Sequence, residues 1–366
     1  GDDQNGGYVN YSSSQTYASW TFKKQAKFFD VVTYTGTSAV QNISHSLGSV
    51  PGMIIVKRTD ATGAWRVYHR GSNATAPENY YLTLNATDQA GTGGGVIWND
   101  TAPTDSIFTV GANNSVNASV GTFVAYLFAH NDSGDGDQDI IKCGSLVSGT
   151  VQDINLGWEP QFILYKNSSG TGSWSLFDAM RGMTTDGTGT YLHANSGNAE
   201  ATAGSQASPL ANGFRWNYTG NSGQTFIYMA IKRGPLAPPT AGTEVFAMDT
   251  LGGTSPNPPD FYSGWPVDMS MFRRRSQTAN WATTDRLRGQ FSELRTNSTE
   301  ADQSRSQSVG YDQMTGYFDD SNVVSDIVSW MWKRAPSFFD VVAYTGNGTA
   351  GRTVSHNLGV APEMMW

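Results

Sequence analysis

The sequence is poor in the residue patterns that catalysis and nucleic-acid binding usually require. It holds one cysteine, so no disulfide can form within the chain. Lys and Arg number 23 against 31 Asp and Glu, and this net charge of −8 disfavours nucleic acid, whose binding depends on cationic contacts to phosphate. No apolar run approaches about 18 residues, so no membrane insertion is predicted. The histidines lack metal-binding spacing, and there is no GxSxG motif.

Glycine, serine, threonine and asparagine take the place of charged residues. Charged residues make up 15% of the chain, whereas glycine alone occurs 41 times. Glycine and asparagine supply the positive-φ positions that tight turns require. Short runs rich in β-branched and aromatic residues lie between these turn signals, without a helical period. The composition therefore predicts an all-β protein.

One stretch near the start of the sequence returns near its end. Residues 28–53 read FFDVVTYTGTSAVQNISHSLGSVPGM, and residues 338–364 read FFDVVAYTGNGTAGRTVSHNLGVAPEM. Asp30 and Asp340 are 310 positions apart, and the match extends backward, so that residues 1 to about 56 repeat residues 310–366. A repeat of this length indicates a modular architecture. We expect the chain to be a section of a longer repetitive protein.

The period between the two copies divides into three related units. Each unit has an apolar strand, a small-residue turn, a tryptophan and an aromatic-rich closing strand, and polar or proline-rich joints separate the units. The predicted organisation is the C-terminal part of a third-type unit at 1–27, whole units at 28–133, 138–234 and 242–336, and the N-terminal part of a first-type unit at 337–366.

Each whole unit, at about 100 residues, is long enough for one core and for about eight short strands. This pattern predicts tandem antiparallel β-sandwich-like units, arranged as an elongated array. A parallel β-helix fits less well because its short internal period is absent, and propeller blades of about 40–50 residues are half the observed length. The strands of the first unit are predicted at 29–35, 40–45, 52–58, 64–70, 80–85, 94–99, 106–111 and 122–129.

Two residue types recur at fixed places in the units. Trp65, Trp174 and Trp281 are predicted to be equivalent buried core anchors, with ligand stacking as the alternative. An Arg-Gly pair follows each tryptophan and is predicted to support a turn or to pair with an acid. The arginines are Arg70, Arg181 and Arg288.

The lone cysteine stands in a strand column. Cys143 aligns with Tyr34 and Met248 in the other units, and that column is predicted to be buried and apolar. A free cysteine in such a place behaves as a small hydrophobe. No histidine stands near it in sequence as a base, so we predict neither a nucleophile nor a catalytic centre.

Two loops combine an aromatic residue with polar neighbours. Trp98 is followed by Asn99 and Asp100, and Trp216 is followed by Asn217. A sugar site needs a face for stacking and polar groups for hydroxyls. These residues are therefore the candidate glycan site, and an ordinary strand end is the alternative.

An acidic, glycine-rich segment joins the first and second units. Closely spaced carboxylates can supply the oxygen ligands that Ca²⁺ prefers. The EF-hand pattern is not met because no Glu stands at the twelfth position, and a solvated joint is the alternative. The candidate Ca²⁺ ligands are Asp132, Asp135, Asp137 and Asp139.

Several motifs resemble a known group of proteins. FFDVVxYTG, SHxLGxxPxM, YYLTLN, IWNDTAPT and TFVAYLFA are similar to repeat regions of virion structural proteins of marine and cyanobacterial tailed phages. The resemblance covers nearly the whole chain and is weakest in the third unit, where residues 263–266 depart from the pattern. It implies a virion, extracellular location in a fibre or tail-associated appendage, and no catalytic residues are carried over from it.

These observations predict a non-enzymatic structural protein that adheres to a host-surface glycan. A bacterial extracellular adhesin or filament subunit is the alternative, and a fibre-borne glycan depolymerase has less support. Residues 1–27 and 337–366 are half-units, and half-units leave strand edges that proteins normally cover. We therefore predict self-association, in which these ends pair across neighbouring subunits or with neighbouring repeat units.

Overall fold

A computed structural model confirms the all-β, sandwich-like prediction. Its described part forms antiparallel sheets and two helices of four residues each. None of the helices in that part is long and apolar enough to cross a membrane. The structure describes residues 18–133, 139–185, 187, 189–202, 206–234, 237–250, 259–305, 309–319 and 326–366.

The first unit pairs a large sheet with a small one. Its elements are β1 (Phe29–Thr35), β2 (Gln41–Ser44), β3 (Pro51–Arg58), β4 (Arg66–His69), β5 (Tyr80–Thr83), β6 (Gly91–Thr92), α1 (Gly94–Ile97), β7 (Ile107–Val110), α2 (Asn114–Asn117) and β8 (Thr122–Ala129). The large sheet has the order β1-β8-β3-β4-β5-β6, and β2 pairs with β7 in the small sheet.

The strand predicted at 94–99 is wrong, because residues 94–97 form the helix α1. Gly94 packs so tightly against the preceding segment that an added Cβ would lie 2.0 Å from the carbonyl oxygen of Glu78. Asn99 and Asp100 then take left-handed backbone angles, with φ of 56° and 46°, which end the helix. A glycine-rich approach of two backbone segments therefore replaces a strand here.

The second and third units repeat this topology. The second has β9 (Ile141–Val147), β10 (Gln152–Asn155), β11 (Pro160–Asn167), β12 (Ser175–Asp178), β13 (Thr190–His193), β14 (Ala201–Thr202), β15 (Ala207–Leu210), β16 (Gly213–Trp216) and β17 (Thr225–Lys232). The third has β18 (Phe246–Thr250), β19 (Phe261–Tyr262), β20 (Met269–Arg274), β21 (Ala282–Asp285), β22 (Ser292–Arg295), β23 (Gln303–Ser304), β24 (Val309–Gly310), β25 (Gly316–Asp319) and β26 (Ile327–Trp332).

The large sheets have corresponding strand orders. The second unit has β9-β17-β11-β12-β13-β14 and the third has β18-β26-β20-β21-β22-β23. The small sheets are β10-β16-β15 and β19-β25-β24. The inner face of each large sheet faces its small sheet across a core, and the outer face points away.

Residues paired across neighbouring strands share a face, so each outer face carries a row of paired side chains. We call this the outer row. In the first unit it is Val31, Tyr126, Ile55, Val67 and Leu82. In the second it is Cys143, Met229, Leu164, Leu176 and Leu192. In the third it is Met248, Trp330, Met271, Thr283 and Leu294.

The first and second units bury their outer faces against each other. The Nε2 atom of His69 lies 3.0 Å from the carbonyl oxygen of Tyr228, and an added Cβ on Gly52 would lie 2.8 Å from the Sγ atom of Cys143. One hydrophobic cluster therefore spans both units. Its outer-row members include Ile55, Val67 and Leu82 of the first unit and Cys143, Met229 and Leu164 of the second.

Candidate functional site

The first predicted glycan loop carries a buried indole. Trp98 is 2% exposed, and its ring meets the ring of Tyr68 edge-on, with 6.3 Å between centroids. Asp100 is exposed, and the Nδ2 atom of Asn99 donates to the Oγ1 atom of Thr101 at 3.2 Å. Trp98 therefore offers no open face to a sugar ring. Glycan binding at this loop stays a prediction that depends on Asn99 and Asp100.

The second predicted glycan loop has the same character. Trp216 is 1% exposed, and its ring centroid lies 5.1 Å from that of Tyr165 and 5.0 Å from that of Phe226. The Nδ2 atom of Asn217 donates to the Oγ atom of Ser208 at 2.7 Å. The stacking role predicted for Trp216 has no exposed surface here, because the indole belongs to the inner core of the second unit.

The predicted Ca²⁺ segment is described only in part. Asp135 and Asp137 lie outside the described residues. Asp132 is exposed and forms an ion pair with the Nζ atom of Lys142 at 3.0 Å, while Asp139 is buried and accepts from the Oγ atom of Ser133 at 2.7 Å. Within the described ranges, no group of three or more His, Cys, Asp or Glu side chains is placed to hold a metal ion. Ca²⁺ binding stays a prediction.

The recurrent tryptophans occupy equivalent positions, but only one is a core anchor. Each directly precedes the fourth strand of its large sheet. Trp174 is 1% exposed, whereas Trp65 and Trp281 are half-buried, so the prediction of three buried anchors is wrong for these two. In each unit the backbone N–H of the tryptophan donates to an asparagine Oδ1 atom. The pairs are Trp65 with Asn85 at 2.9 Å, Trp174 with Asn195 at 2.8 Å and Trp281 with Asn297 at 2.9 Å.

Two of the three recurrent arginines support a turn by pairing with an acid. The Nε atom of Arg181 lies 2.6 Å from Asp178, and that of Arg288 lies 2.5 Å from Asp285. The backbone N–H of each of these two arginines also donates to the carboxylate of the aspartate with which it pairs. The first unit is different, because strand pairing places His69 at the position that Asp178 and Asp285 occupy in the other two units. Arg70 directly follows His69 and is exposed, so its predicted equivalence is wrong.

The cysteine is buried, but in a different column from the one predicted. Strand pairing aligns Cys143 with Val31 and Met248 of the outer rows, so its alignment with Tyr34 is wrong. Tyr34 points to the inner face, where its ring stacks on that of Phe123 at 5.2 Å between centroids. Burial raises the pKa of the Cys143 thiol to about 12. The thiolate that a nucleophile requires is therefore scarcely populated.

A buried cluster of charges joins the second and third units. The Nη1 atom of Arg334 donates to the Oε2 atom of Glu159 at 2.9 Å, and the Arg334 N–H donates to Asp268 at 2.7 Å. Burial by itself would raise the pKa of Asp268, but the charges of Arg334 and Arg286 outweigh it and lower the pKa. Because each carboxylate faces an arginine, the cluster acts as a joint between units. Its members are Glu159, Arg233, Asp268, Arg286, Arg334 and Asp340.

The segments that begin at Lys27 and at Ser337 carry the same backbone motif. The Lys27 N–H donates to the carbonyl oxygen of Leu47 at 2.7 Å, and the Ser337 N–H donates to that of Leu358 at 2.6 Å. An aspartate then anchors the next loop in both copies. Asp30 accepts from the Ser46 N–H at 2.6 Å, and Asp340 accepts from the Asn357 N–H at 2.8 Å. The junction that precedes the first unit is thus rebuilt after the third.

An open polar cleft separates the small sheet of the second unit from residues 343–355. In it the Nε atom of Arg215 pairs with Asp153 at 2.7 Å, and its Nη1 atom donates to the Oγ1 atom of Thr345 at 3.2 Å. Tyr344 is 64% exposed, with the guanidinium of Arg352 at 6.0 Å from its ring centroid. An aromatic ring beside planar polar groups suits a sugar. Sequence reasoning missed this cleft, because its walls are 130 positions apart.

Comparison with known proteins identifies a family without a described activity. The family described as "Domain of unknown function (DUF7483)" matches residues 3–235 and 246–366. No curated protein matches the chain, and neither does any solved structure. Since the matched ranges include most of each of the three units, the chain belongs to the family described as "Domain of unknown function (DUF7483)".

Proposed function

We propose that this chain is a structural segment of a tailed-phage virion protein, in a fibre or tail-associated appendage, and that it adheres to a host-surface glycan. The observation that carries the structural part is the rebuilt junction at Lys27 and Ser337. A scaffold of joined units needs a joint that recurs, and the matching hydrogen bonds at 2.7 Å and 2.6 Å are such a joint. The virion location is supported by the resemblance of the repeat motifs.

A non-enzymatic role is supported by the state of the reactive groups. The thiol of Cys143 has a pKa of about 12, and burial lowers the pKa of His69 to about 3. His69 sits between backbone groups, with Nδ1 accepting from the Gly71 N–H at 3.0 Å. A general base needs a pKa near the working pH and access to substrate. These groups serve packing instead.

Adhesion requires little of any one site. Loops on a rigid scaffold usually carry binding, and repeated weak sites on an array gain strength through avidity. The groups that support glycan binding are exposed Asp100 with the adjacent Asn99 in the first loop, Asn217 in the second loop, and the cleft with Tyr344. A shallow sugar site on such loops suffices for a fibre.

The location is tested by electron microscopy with gold-labelled antibodies raised against the purified chain. Label on the tail appendages of phage particles is the expected result. Label on the surface of uninfected bacteria would overturn the virion assignment and favour an extracellular adhesin.

Adhesion is tested by binding of the purified chain to host lipopolysaccharide or capsule. We expect Asp100→Ala and Tyr344→Ala to weaken binding several-fold. Tyr262→Ala is the matched control, because Tyr262 is 61% exposed and lies away from the cleft. Equal binding by all variants would contradict both sites, and depolymerised glycan would contradict the non-enzymatic role.

A further inference from the structure

We infer that the outer face of the third unit is a self-association surface, which packs against the same face of a second copy of this chain. This face consists of the outer row of that unit together with Trp281 and Arg273. The inference goes beyond the proposed function, because it concerns assembly alone and holds wherever the chain is located.

The face is apolar and open. Met248 is 65% exposed and Leu294 is 41% exposed, while Trp330 and Met271 are half-buried between them. Trp281 stacks on Trp330, with 4.9 Å between ring centroids. Single exposed apolar side chains are ordinary, but a contiguous apolar patch marks an interaction site.

The same face of the second unit shows what covers it. Its outer-row residues Cys143, Met229 and Leu164 are 2%, 2% and 6% exposed. The first unit provides this burial with its own outer face, as the shared hydrophobic cluster shows. Two units of this fold therefore associate outer face to outer face within one chain.

The cation of this face, Arg273, has a counterpart in the second unit that is buried in the contact with the first unit. Arg273 stands over the ring of Trp281 at 5.7 Å, as Lys57 stands over Trp65 at 6.0 Å. The corresponding cation of the second unit is Lys166, which is fully buried against the first unit. A cation at this position is therefore compatible with a buried contact.

Trp174 shows how the tryptophan of such a face is accommodated. Its Nε1 atom donates across the contact between the first and second units to the carbonyl oxygen of Thr83 at 2.9 Å. The Nζ atom of Lys166 donates across the same contact to the carbonyl oxygen of Thr87 at 3.2 Å. Backbone carbonyls of the covering unit thus satisfy both donors, and Trp281 with Arg273 presents the same two donor types.

The pairing of the first and second units identifies the partner. The first and second units use their outer faces on each other, which leaves the third unit of each chain with a free face among the described residues. If the outer face of the third unit packs against the same face of a second chain, a twofold axis relates the two chains. Such an isologous contact closes at the dimer.

The test is the oligomeric state of the purified chain, measured by sedimentation velocity over a wide range of concentrations. We expect the wild type to pass from monomer to dimer through this face. Met248→Lys should weaken dimerisation by about tenfold or more, because a lysine ammonium would be buried in an apolar contact. Met314→Lys is the matched control, because Met314 is 67% exposed on the turn between β24 and β25 and should leave dimerisation unchanged.

Oxidation by dilute peroxide gives an independent readout. Met248 and Met314 are similarly exposed within the chain, so both should oxidise at similar rates at low concentration. At concentrations that give the dimer, oxidation of Met248 should slow several-fold while that of Met314 does not. A wild type that stays monomeric, a dimer insensitive to Met248→Lys, or equal oxidation rates in the dimer would each overturn the inference. Species larger than a dimer that Met248→Lys abolishes would overturn the twofold arrangement.

Discussion

Indoles are among the largest fully buried side chains of the described chain. Trp158, Trp174 and Trp216 are each 1% exposed. Burying an aromatic side chain removes about 150–250 Å² of surface from water, and edge-to-face contacts add to that gain. Trp216 combines both effects, because its ring meets the ring of Tyr165 at 89° in the inner core of the second unit. Its contribution is therefore to folding.

We predict that Trp216→Ala lowers the free energy of unfolding by about 3–5 kcal/mol, the usual cost of a cavity left by a large aromatic residue. The measurement is chemical denaturation followed by circular dichroism. Asn198→Ala is the control and should change stability by less than about 0.5 kcal/mol, since Asn198 is exposed on a surface loop. A Trp216→Ala variant as stable as the wild type would mean that the indole is not packed in the core.

The residues of the predicted glycan loops show why sequence was ambiguous at this scale. A tryptophan followed by Asn or Asp at a strand end is a stacking platform if its ring points outward and a core residue if it points inward. The polar neighbours are alike in both cases. Trp98 and Trp216 both point inward, where Tyr68 and Tyr165 meet them edge-on. Only the sheet that covers each ring decides its role, and that sheet is distant in sequence.

Among the elements, the hairpin after each recurrent tryptophan is the most faithfully repeated. The asparagine that follows the fifth strand of each large sheet accepts from the backbone N–H of the tryptophan before the fourth strand. In the second unit this bond joins Asn195 to Trp174 at 2.8 Å. It closes the end of the hairpin where the ladder between β12 and β13 stops. A side chain thus completes the ladder that the backbone leaves open.

We predict that Asn195→Ala lowers the free energy of unfolding by about 1 kcal/mol, the typical net contribution of a hydrogen bond. Asn198→Ala, three positions further along the same exposed loop, should have almost no effect. Denaturation of the two variants side by side measures the difference. Equal stability of Asn195→Ala and Asn198→Ala would show that the asparagine bond does not hold the hairpin.

Element prediction succeeded for β-branched and aromatic runs, including the fully buried start of β3, and failed at the glycine-rich segment 94–99. Seven of the eight strands predicted for the first unit have a counterpart in the structure, and only 94–99 does not. The alignment of Cys143 with Tyr34 instead of Val31 is a shift of three residues. Alternation fixes register only where one face meets water. In β9 the outer face is covered by the first unit at Cys143 and meets water only further along, at Ser145 and Val147, so alternation gives a weak signal there.

At the scale of the whole molecule, the contact between the first and second units buries a positive charge. Lys166 is fully buried, and its Nζ atom donates to the carbonyl oxygens of Thr87, Asn167 and Gly170. Burial lowers the pKa of Lys166 from its usual 10.5 to about 8. The sequence held no sign of this, because the burial arises only when one outer face covers the other.

We predict that alkaline pH strengthens the fold through Lys166. The folded chain loses the lysine proton near pH 8, while the unfolded chain keeps it to about pH 10.5. Between these values the unfolded state binds more protons than the folded state, so the free energy of unfolding rises with pH. The linkage relation gives a gain of about 1–2 kcal/mol in the free energy of unfolding from pH 8 to pH 9.5.

Comparison with Lys166→Met isolates this contribution, because methionine fills the same space and does not titrate. Cys143 acts in the opposite direction in both proteins. Its thiol pKa is raised from 9.0 to about 12 in the folded chain, so the unfolded chain ionises first and stability falls above about pH 9. Denaturation at pH 8 and pH 9.5 should therefore show the wild type gaining about 1–2 kcal/mol relative to Lys166→Met. Parallel pH profiles for the two proteins would mean that Lys166 keeps its ordinary pKa and that the outer faces admit water.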